Sequence, residues 1–289
     1  MLTRLPRFLR YSLAALLPAL GLLIGGLSSP AGASTHASAP SAQAQAMAQA
    51  KAAIKQLMIG QHTTNHRVAG SSRHHISGLT KVQSTNWSGY ADTGSSFSKA
   101  TGHWTEPSAS CTGTTSLAAF WVGIDGFTSG SVEQDGTLIE CSGGRAFQFT
   151  WWEMYPSNAV QVVGSSLAAG DSITASVVRS GTRYTLAVTD STRTANSFST
   201  TQTCSNCANS SVEWIAEAPS GSGGIFPLAH FSTWTDSSST VTEGSTSGVI
   251  SSFTDDEITM VNNSGAVKAQ PGALNSGGNG FGVSWERAS

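Results

Sequence analysis

Acidic residues are missing from the first 91 positions of this 289-residue chain, because all 17 Asp and Glu lie at or after Asp92. Eight of the 15 Lys and Arg lie at or before Lys81, so from Thr85 onward 7 basic and 17 acidic residues leave a formal balance of −10. Walker and dinucleotide glycine patterns are absent, and so is Gly-x-Ser-x-Gly, which excludes P-loop, Rossmann and α/β-hydrolase chemistry. The string Asp92-Thr93-Gly94-Ser95 matches half of an aspartic peptidase site. Those enzymes need two aspartates sharing a proton, and no second Asp-Thr-Gly or Asp-Ser-Gly occurs. Ser34 to Ser84 contains no aromatic residue, so this basic arm lacks stacking groups and no nucleic-acid partner is expected.

The chain opens with Arg4, Arg7 and Arg10, an uncharged run from Tyr11 to Leu27, and the small residues Ala31-Gly32-Ala33. That is the pattern of a secretory signal peptide over residues 1–33 and implies an extracellular destination. No later segment is apolar enough to cross a bilayer, so no stable membrane association is expected once the leader is removed.

Residues 34–84 carry five basic residues, no acid and five of the seven histidines, namely His36, His62, His66, His74 and His75. A basic segment ahead of an acidic domain reads as a removable pro-segment that docks on its own domain as an intramolecular inhibitor. Ser41 to Gly60 is rich in Ala and Gln, with Met47, Ile54, Leu57 and Met58 at helical spacing, and reads as one short helix. His62 to Lys81 reads as polar and mobile.

Residues 85–289 have the length of one all-β domain. Short apolar runs recur at Ala118–Ile124, Phe147–Met154, Val212–Ala216, Glu257–Val261 and Phe281–Trp285, and 171–178 with 183–188 reads as a hairpin linked by 179–182. Many short strands with Gly and Ser turns point to an antiparallel β-sandwich or barrel. Four cysteines allow three pairings. Cys111 with Cys141 and Cys204 with Cys207 is the expected set, the first closing a loop worth about 3 kcal/mol. A zinc site is disfavoured, since only one Cys-x-x-Cys exists and His103 and His230 lack ligand spacing. Neither metal nor cofactor is expected, and nothing demands more than a monomer.

Five motifs stand out against the Ser/Thr background: NWSGY (Asn86 to Tyr90), FWVGIDG (Phe120 to Gly126), VEQDGT (Val132 to Thr137), WWEMYP (Trp151 to Pro156) and VEWIAEAPS (Val212 to Ser220). In this order they resemble the glutamic peptidase family, the eqolisins. The resemblance implies a secreted, acid-active, pepstatin-insensitive endopeptidase made with a pro-segment, folded as a sandwich of two large antiparallel sheets of jelly-roll or concanavalin type. It also implies a catalytic pair, Gln134 in VEQDG and Glu217 at the end of VEWIAE, with Trp121, Asp125, Trp151 and Glu153 lining the cleft. Two departures from the family's founding member fall near Phe149 and Thr150, where it has an aspartate, and at Met154, where it has an aromatic.

Residue chemistry points the same way. Amide hydrolysis needs a base for water, a donor for the oxyanion and an acid for the departing nitrogen. One carboxyl can be base and then acid, and a glutamine amide keeps its N–H donors at any pH. In the strand VEWIAE, alternation puts Glu213, Ile215 and Glu217 on one face, expected to line a cleft. Glu213 reads either as an orienting group there or as a solvent-facing strand residue. The substrates would be proteins and peptides. Two other classes remain on the sequence alone: a carbohydrate-binding sandwich, and a two-carboxylate glycosidase using Glu217 with Glu153 or Glu213.

Overall fold

In Arg183–Asp190, read RYTLAVTD, the residues Tyr184, Leu186 and Val188 are buried while their neighbours are partly or fully exposed, the period-two pattern of a strand with one face on a core. The computed structural model describes residues 41–57, 74–76, 79–164 and 166–289. The signal peptide expected over residues 1–33 lies outside the described residues.

The main strands, in chain order, are β1 (His74–Ile76), β2 (Leu79–Ser84), β3 (Trp87–Thr93), β4 (Phe97–Thr105), β5 (Ser116–Ile124), β6 (Val132–Ser142), β7 (Arg145–Tyr155) and β8 (Asn158–Val162). They continue with β9 (Ser172–Ser180), β10 (Arg183–Asp190), β11 (Phe198–Thr203), β12 (Ser211–Glu217), β13 (Trp234–Glu243), β14 (Thr254–Val261), β15 (Val267–Pro271) and β16 (Phe281–Trp285).

A front layer runs β8-β7-β6-β5-β12-β3-β14-β2-β1. All its pairings are antiparallel except β14 with β2. A back layer runs β11-β10-β9-β4-β13-β16. Strand β15 pairs with both β14 and β16 and so carries the hydrogen bonding from one layer to the other. The two-layer antiparallel sandwich read from the sequence is the observed fold.

The hairpin is tighter than its sequence suggested. Pairing continues to Ser180 opposite Arg183, so the turn is two residues, with Gly181 at φ 62° supplying the left-handed backbone such a turn needs.

Between the layers lies one apolar cluster in which Phe120, Val122, Ile139 and Trp214 of the front meet Trp104, Ile173, Val177, Leu186 and Trp234 of the back. Phe120 stacks on Trp234 at 5.5 Å and meets Phe231 edge-on at 5.0 Å. A second cluster covers the outer face of the front sheet: Trp87, Ala119, Trp121, Leu138, Phe149, Trp151, Val162 and Ile215.

That outer cluster is closed by a helix, α1 (Ala42–Leu57), which buries Ala50 and Ile54 in it and packs Ala46 and Met47 against it. Its start is set by Ser41, whose hydroxyl accepts the Ala44 N–H at 3.1 Å. Burying one Ile side chain contributes about 2 kcal/mol. Lys51 adds a hydrogen bond from Nζ to the Val163 carbonyl at 2.5 Å.

The segment expected to be mobile is strand where it is described. β2 lies in the front sheet through parallel pairing with β14 and a Lys81–Glu257 ion pair of 2.7 Å, so the sheet begins upstream of Thr85. The rest of that expectation, residues 62–73 and 77–78, lies outside the described residues.

Both expected disulfides form, Cys111–Cys141 across 30 residues and Cys204–Cys207 across 3. Replacing Cys111 and Cys141 together by alanine should lower the unfolding free energy by about 3 kcal/mol through the released loop entropy. Equilibrium denaturant unfolding, with midpoint and slope both fitted because the unbridged unfolded chain exposes more surface, is the measurement.

Candidate active site

Strand register brings the sequence candidates onto one face. Gln134 of β6 sits opposite Glu153 of β7 and Gly123 of β5, and Gly123 sits opposite Glu213 of β12. Two residues along, Trp151, Gly136, Trp121 and Ile215 form the next row, and Phe149, Leu138, Ala119, Glu217 and Trp87 the one after.

Trp121 joins the first row to the third. A β-carbon added at Gly123 would lie 2.9 Å from Trp121 Cζ3 and 3.3 Å from Gln134 Cβ, so one edge of the indole lies over Gly123, the residue opposite Gln134. From its other edge, Trp121 Nε1 donates to Glu217 Oε2 at 2.9 Å. Trp87 meets Trp121 edge-on, with centroids 4.9 Å apart, and holds the ring from the side. Only glycine at position 123 leaves room for this arrangement.

Gln134 Nε2 donates to Glu153 Oε2 at 2.7 Å, which fixes the rotation of the amide. Glu217 Oε1 accepts from Asn86 Nδ2 at 3.4 Å. Burial, then the nearby Glu153 carboxylate, hold the Glu217 carboxyl well above the usual carboxylate range, while donors on Trp121, Trp87 and Asn86 pull it back. One face thus carries a carboxyl that can exchange a proton and an amide that can only donate or accept hydrogen bonds.

This face is not open to solvent. Gln134, Glu217, Glu153 and Trp121 are all fully buried, and α1 packs on the apolar cluster of the same sheet face. They lie outside the inter-sheet core, to which Trp214 and Ala216 of the same strand contribute.

Asp125 and Glu213 are engaged differently. Asp125, at φ 70°, accepts the Asn209 N–H at 2.7 Å and the Ser210 N–H at 2.9 Å, so it ties its loop to the segment before β12. Glu213 is fully buried rather than solvent-facing, with Ser211 and the Phe127 backbone leaning toward it. Burial raises its pKa, and Asp125 and Glu133 add to the effect.

Glu133 is a third buried acid at this end, raised to about 9 by burial and by Asp125. Its Oε1 lies 2.8 Å from Cys207 Sγ, and since that sulfur is in a disulfide, the proton in the contact belongs to Glu133. The same pairing occupies both thiols of the Cys-x-x-Cys. Asp92 is buried facing the inter-sheet side, opposite Asp255, away from the tryptophan face.

Sequence reading had given no role to Asn86, Trp87 or Glu133. The first two lie in the NWSGY motif, which was the available signal. Glu133 lies in the VEQDGT motif, but a strand glutamate beside a functional glutamine looks like a surface residue.

Residues 85–277 match the model of the peptidase A4 family. Aspergillopepsin-2 from Aspergillus niger is 25% identical over 210 residues, covering 64% of this chain and 74% of that protein. Among solved structures, scytalido-glutamic peptidase with a transition-state analog inhibitor aligns at 22% identity and TM-score 0.60, covering 70% of this chain and 98% of that one. SCP-B, an eqolisin in complex with the tripeptide Ala-Ile-His, aligns at 22% identity and TM-score 0.55, with the same coverage.

Buried acids make stability depend on pH. Glu106 is raised to about 8, Glu133 to about 9 and Glu140 to about 7, each mainly by burial. Unfolded, these groups release their protons near 4.3. Above that pH the folded chain holds more protons than the unfolded one, so stability falls as pH rises, by up to about 1.4 kcal/mol per pH unit for each group still protonated. The melting temperature should be highest in acid and decline from about pH 4.5 to about pH 9, and Glu133→Gln should flatten the decline. Thermal melts across that range, wild type against variant, test this.

Proposed function

Because this chain belongs to the peptidase A4 family of glutamic peptidases, we propose that it is a secreted, acid-active endopeptidase in which Glu217 activates water and Gln134 steadies the oxyanion. The observation that carries this reading is the Trp121 indole, bonded to Glu217 at one edge and lying at the other over Gly123, the residue opposite Gln134.

In the reaction, the ionised Glu217 takes a proton from water and the hydroxide adds to the peptide carbonyl. The oxygen that becomes negative receives an N–H from Gln134, whose rotation Glu153 fixes. Glu217 then returns its proton to the departing nitrogen, and the C–N bond breaks. Neutral and uncharged at any pH, the amide suits an enzyme working in acid, and no metal or cofactor enters these steps. Glu153 serves the amide rather than acting as a second catalytic acid, which weighs against the glycosidase reading. Trp121 and Trp151 form the apolar floor on which a peptide lies. This peptide reading takes support from the tripeptide and the transition-state analog held by the structural relatives.

The pro-segment inhibits by occupying that floor. Ala50 and Ile54 of α1 are buried in the apolar cluster that contains the tryptophans, and the buried Glu217 is held protonated by desolvation, so it cannot act as a base. The seat buries Ala50 and Ile54 among apolar side chains, and Lys51 of the same helix bonds the Val163 carbonyl. Much of the formal −10 charge sits on buried carboxyls that stay protonated, so attraction between opposite net charges contributes less than the residue count implies.

Gln134→Ala should lower kcat on a peptide substrate by about 10²- to 10³-fold, and Glu217→Gln should remove activity. Casein hydrolysis at about pH 4, undiminished by pepstatin, is the assay. Full activity in Gln134→Ala, or loss to pepstatin, would sink the assignment. Ile54→Asp in the full-length chain should place a charge in the apolar seat and raise turnover of a small peptide before processing. Equal turnover in the two unprocessed chains would count against inhibition by α1.

A further inference from the structure

Asn86 is fully buried and donates to Glu217, yet nothing in the peptidase reading says why its amide points that way. A buried asparagine has an acceptor end and a donor end. Ser84 decides which faces where. Its Oγ accepts the backbone N–H of Asn86 at 3.3 Å and of Trp87 at 3.1 Å, so its single proton goes to Asn86 Oδ1, 2.9 Å away. With the oxygen held by Ser84, Nδ2 is turned to Glu217 Oε1.

The short connection carrying these residues is fixed from both sides. The Asn86 carbonyl accepts the N–H of Ala218, the residue after Glu217, at 2.8 Å. The Thr85 carbonyl accepts from Lys268 Nζ at 3.3 Å. Lys268 is 4% exposed and makes no ion pair among the described residues, and burial lowers its pKa to about 8, which leaves it cationic in acid.

We propose that Ser84 and Asn86 are a positioning pair for Glu217, so that strand β2, which supplies Ser84, belongs to the working enzyme and not to the segment removed on maturation. This rests on the assignment of Glu217 as the base. Among the described residues, the groups facing Glu217 are the indoles of Trp121 and Trp87 from β5 and β3, the Asn86 amide, and the Glu153 carboxyl from β7, a charged neighbour that raises it. Asn86 is the donor to one oxygen and Trp121 to the other. Removing or turning the amide withdraws stabilisation from the ionised carboxylate, which raises the pH at which Glu217 becomes a base.

The test is kcat/KM on a quenched fluorogenic peptide between about pH 2 and 7, using enzyme matured from the full chain. Ser84→Ala and Asn86→Ala should move the acid-side limb upward by about one pH unit with KM little changed, while Ser84→Thr, which keeps the hydroxyl, should retain the wild-type profile. N-terminal sequencing should find the mature chain starting at or before Ser84. An unmoved limb in Ser84→Ala, or a mature chain that starts after Ser84 and is fully active, overturns the pair. Should Asn86→Ala not fold, the Ser84 variants decide by themselves. Glu217→Gln separates the two ideas: activity in that variant overturns the catalytic assignment, whereas an inert Glu217→Gln beside an unmoved limb overturns only the positioning.

Discussion

The hydrogen bond from the Trp121 indole to Glu217 is the contact around which the rest of the front sheet is arranged. It needs a full-size ring lying along β5, and that ring fits only because Gly123 has no side chain beneath it. At Gly136 a β-carbon would sit 2.0 Å from the Phe120 carbonyl oxygen, so the backbone itself closes the space. Trp87 braces the ring, and Asn86, its chain neighbour, reaches the carboxyl from the other side. Packing and polar geometry are here one problem, since a shift of the indole would move a buried carboxyl away from its donors.

Burial of carboxyl groups is the second theme, and it works in one direction. Desolvation raises Glu133, Glu213, Glu217, Asp135 and Asp236 alike. Few cations are available to offset it, and among the described residues only Lys81–Glu257 and Arg193–Asp171 form ion pairs. A domain built this way is most at ease where these five carboxyls stay protonated. The acid range inferred for the reaction and the acid range that favours the fold therefore come from the same physical source.

The helix over the front sheet links regulation to this chemistry. On the proposed reading, a docked α1 would block the floor and, by keeping water from the tryptophan face, hold the proposed base Glu217 protonated. Its hold is mainly apolar. The charge imbalance between the two parts of the chain, conspicuous in the sequence, is blunted because most of the acid lies inside.

Much of the molecule was legible in the residues. Alternation in RYTLAV and DSITASVV gave the hairpin, five motifs in order gave the family and the candidate pair, and the cysteine spacing gave both disulfides. Strands β4 and β13 escaped, because Phe97–Thr105 and Trp234–Glu243 are Ser- and Thr-rich and bury such residues as Asp236 and Ser239, which carry no apolar period. The domain boundary at Thr85 also followed composition, and a charge count cannot register the parallel pairing that draws β2 into the sheet. The sequence by itself determined strand faces, local turns and which residue types were present for the chemistry. Only the tertiary structure decided that Asn86 meets Glu217 across 131 positions, that Glu133 lies against a disulfide, and that the tryptophan face is buried. Those outcomes depend on register and on layers closing over one another, distances that no local pattern encodes.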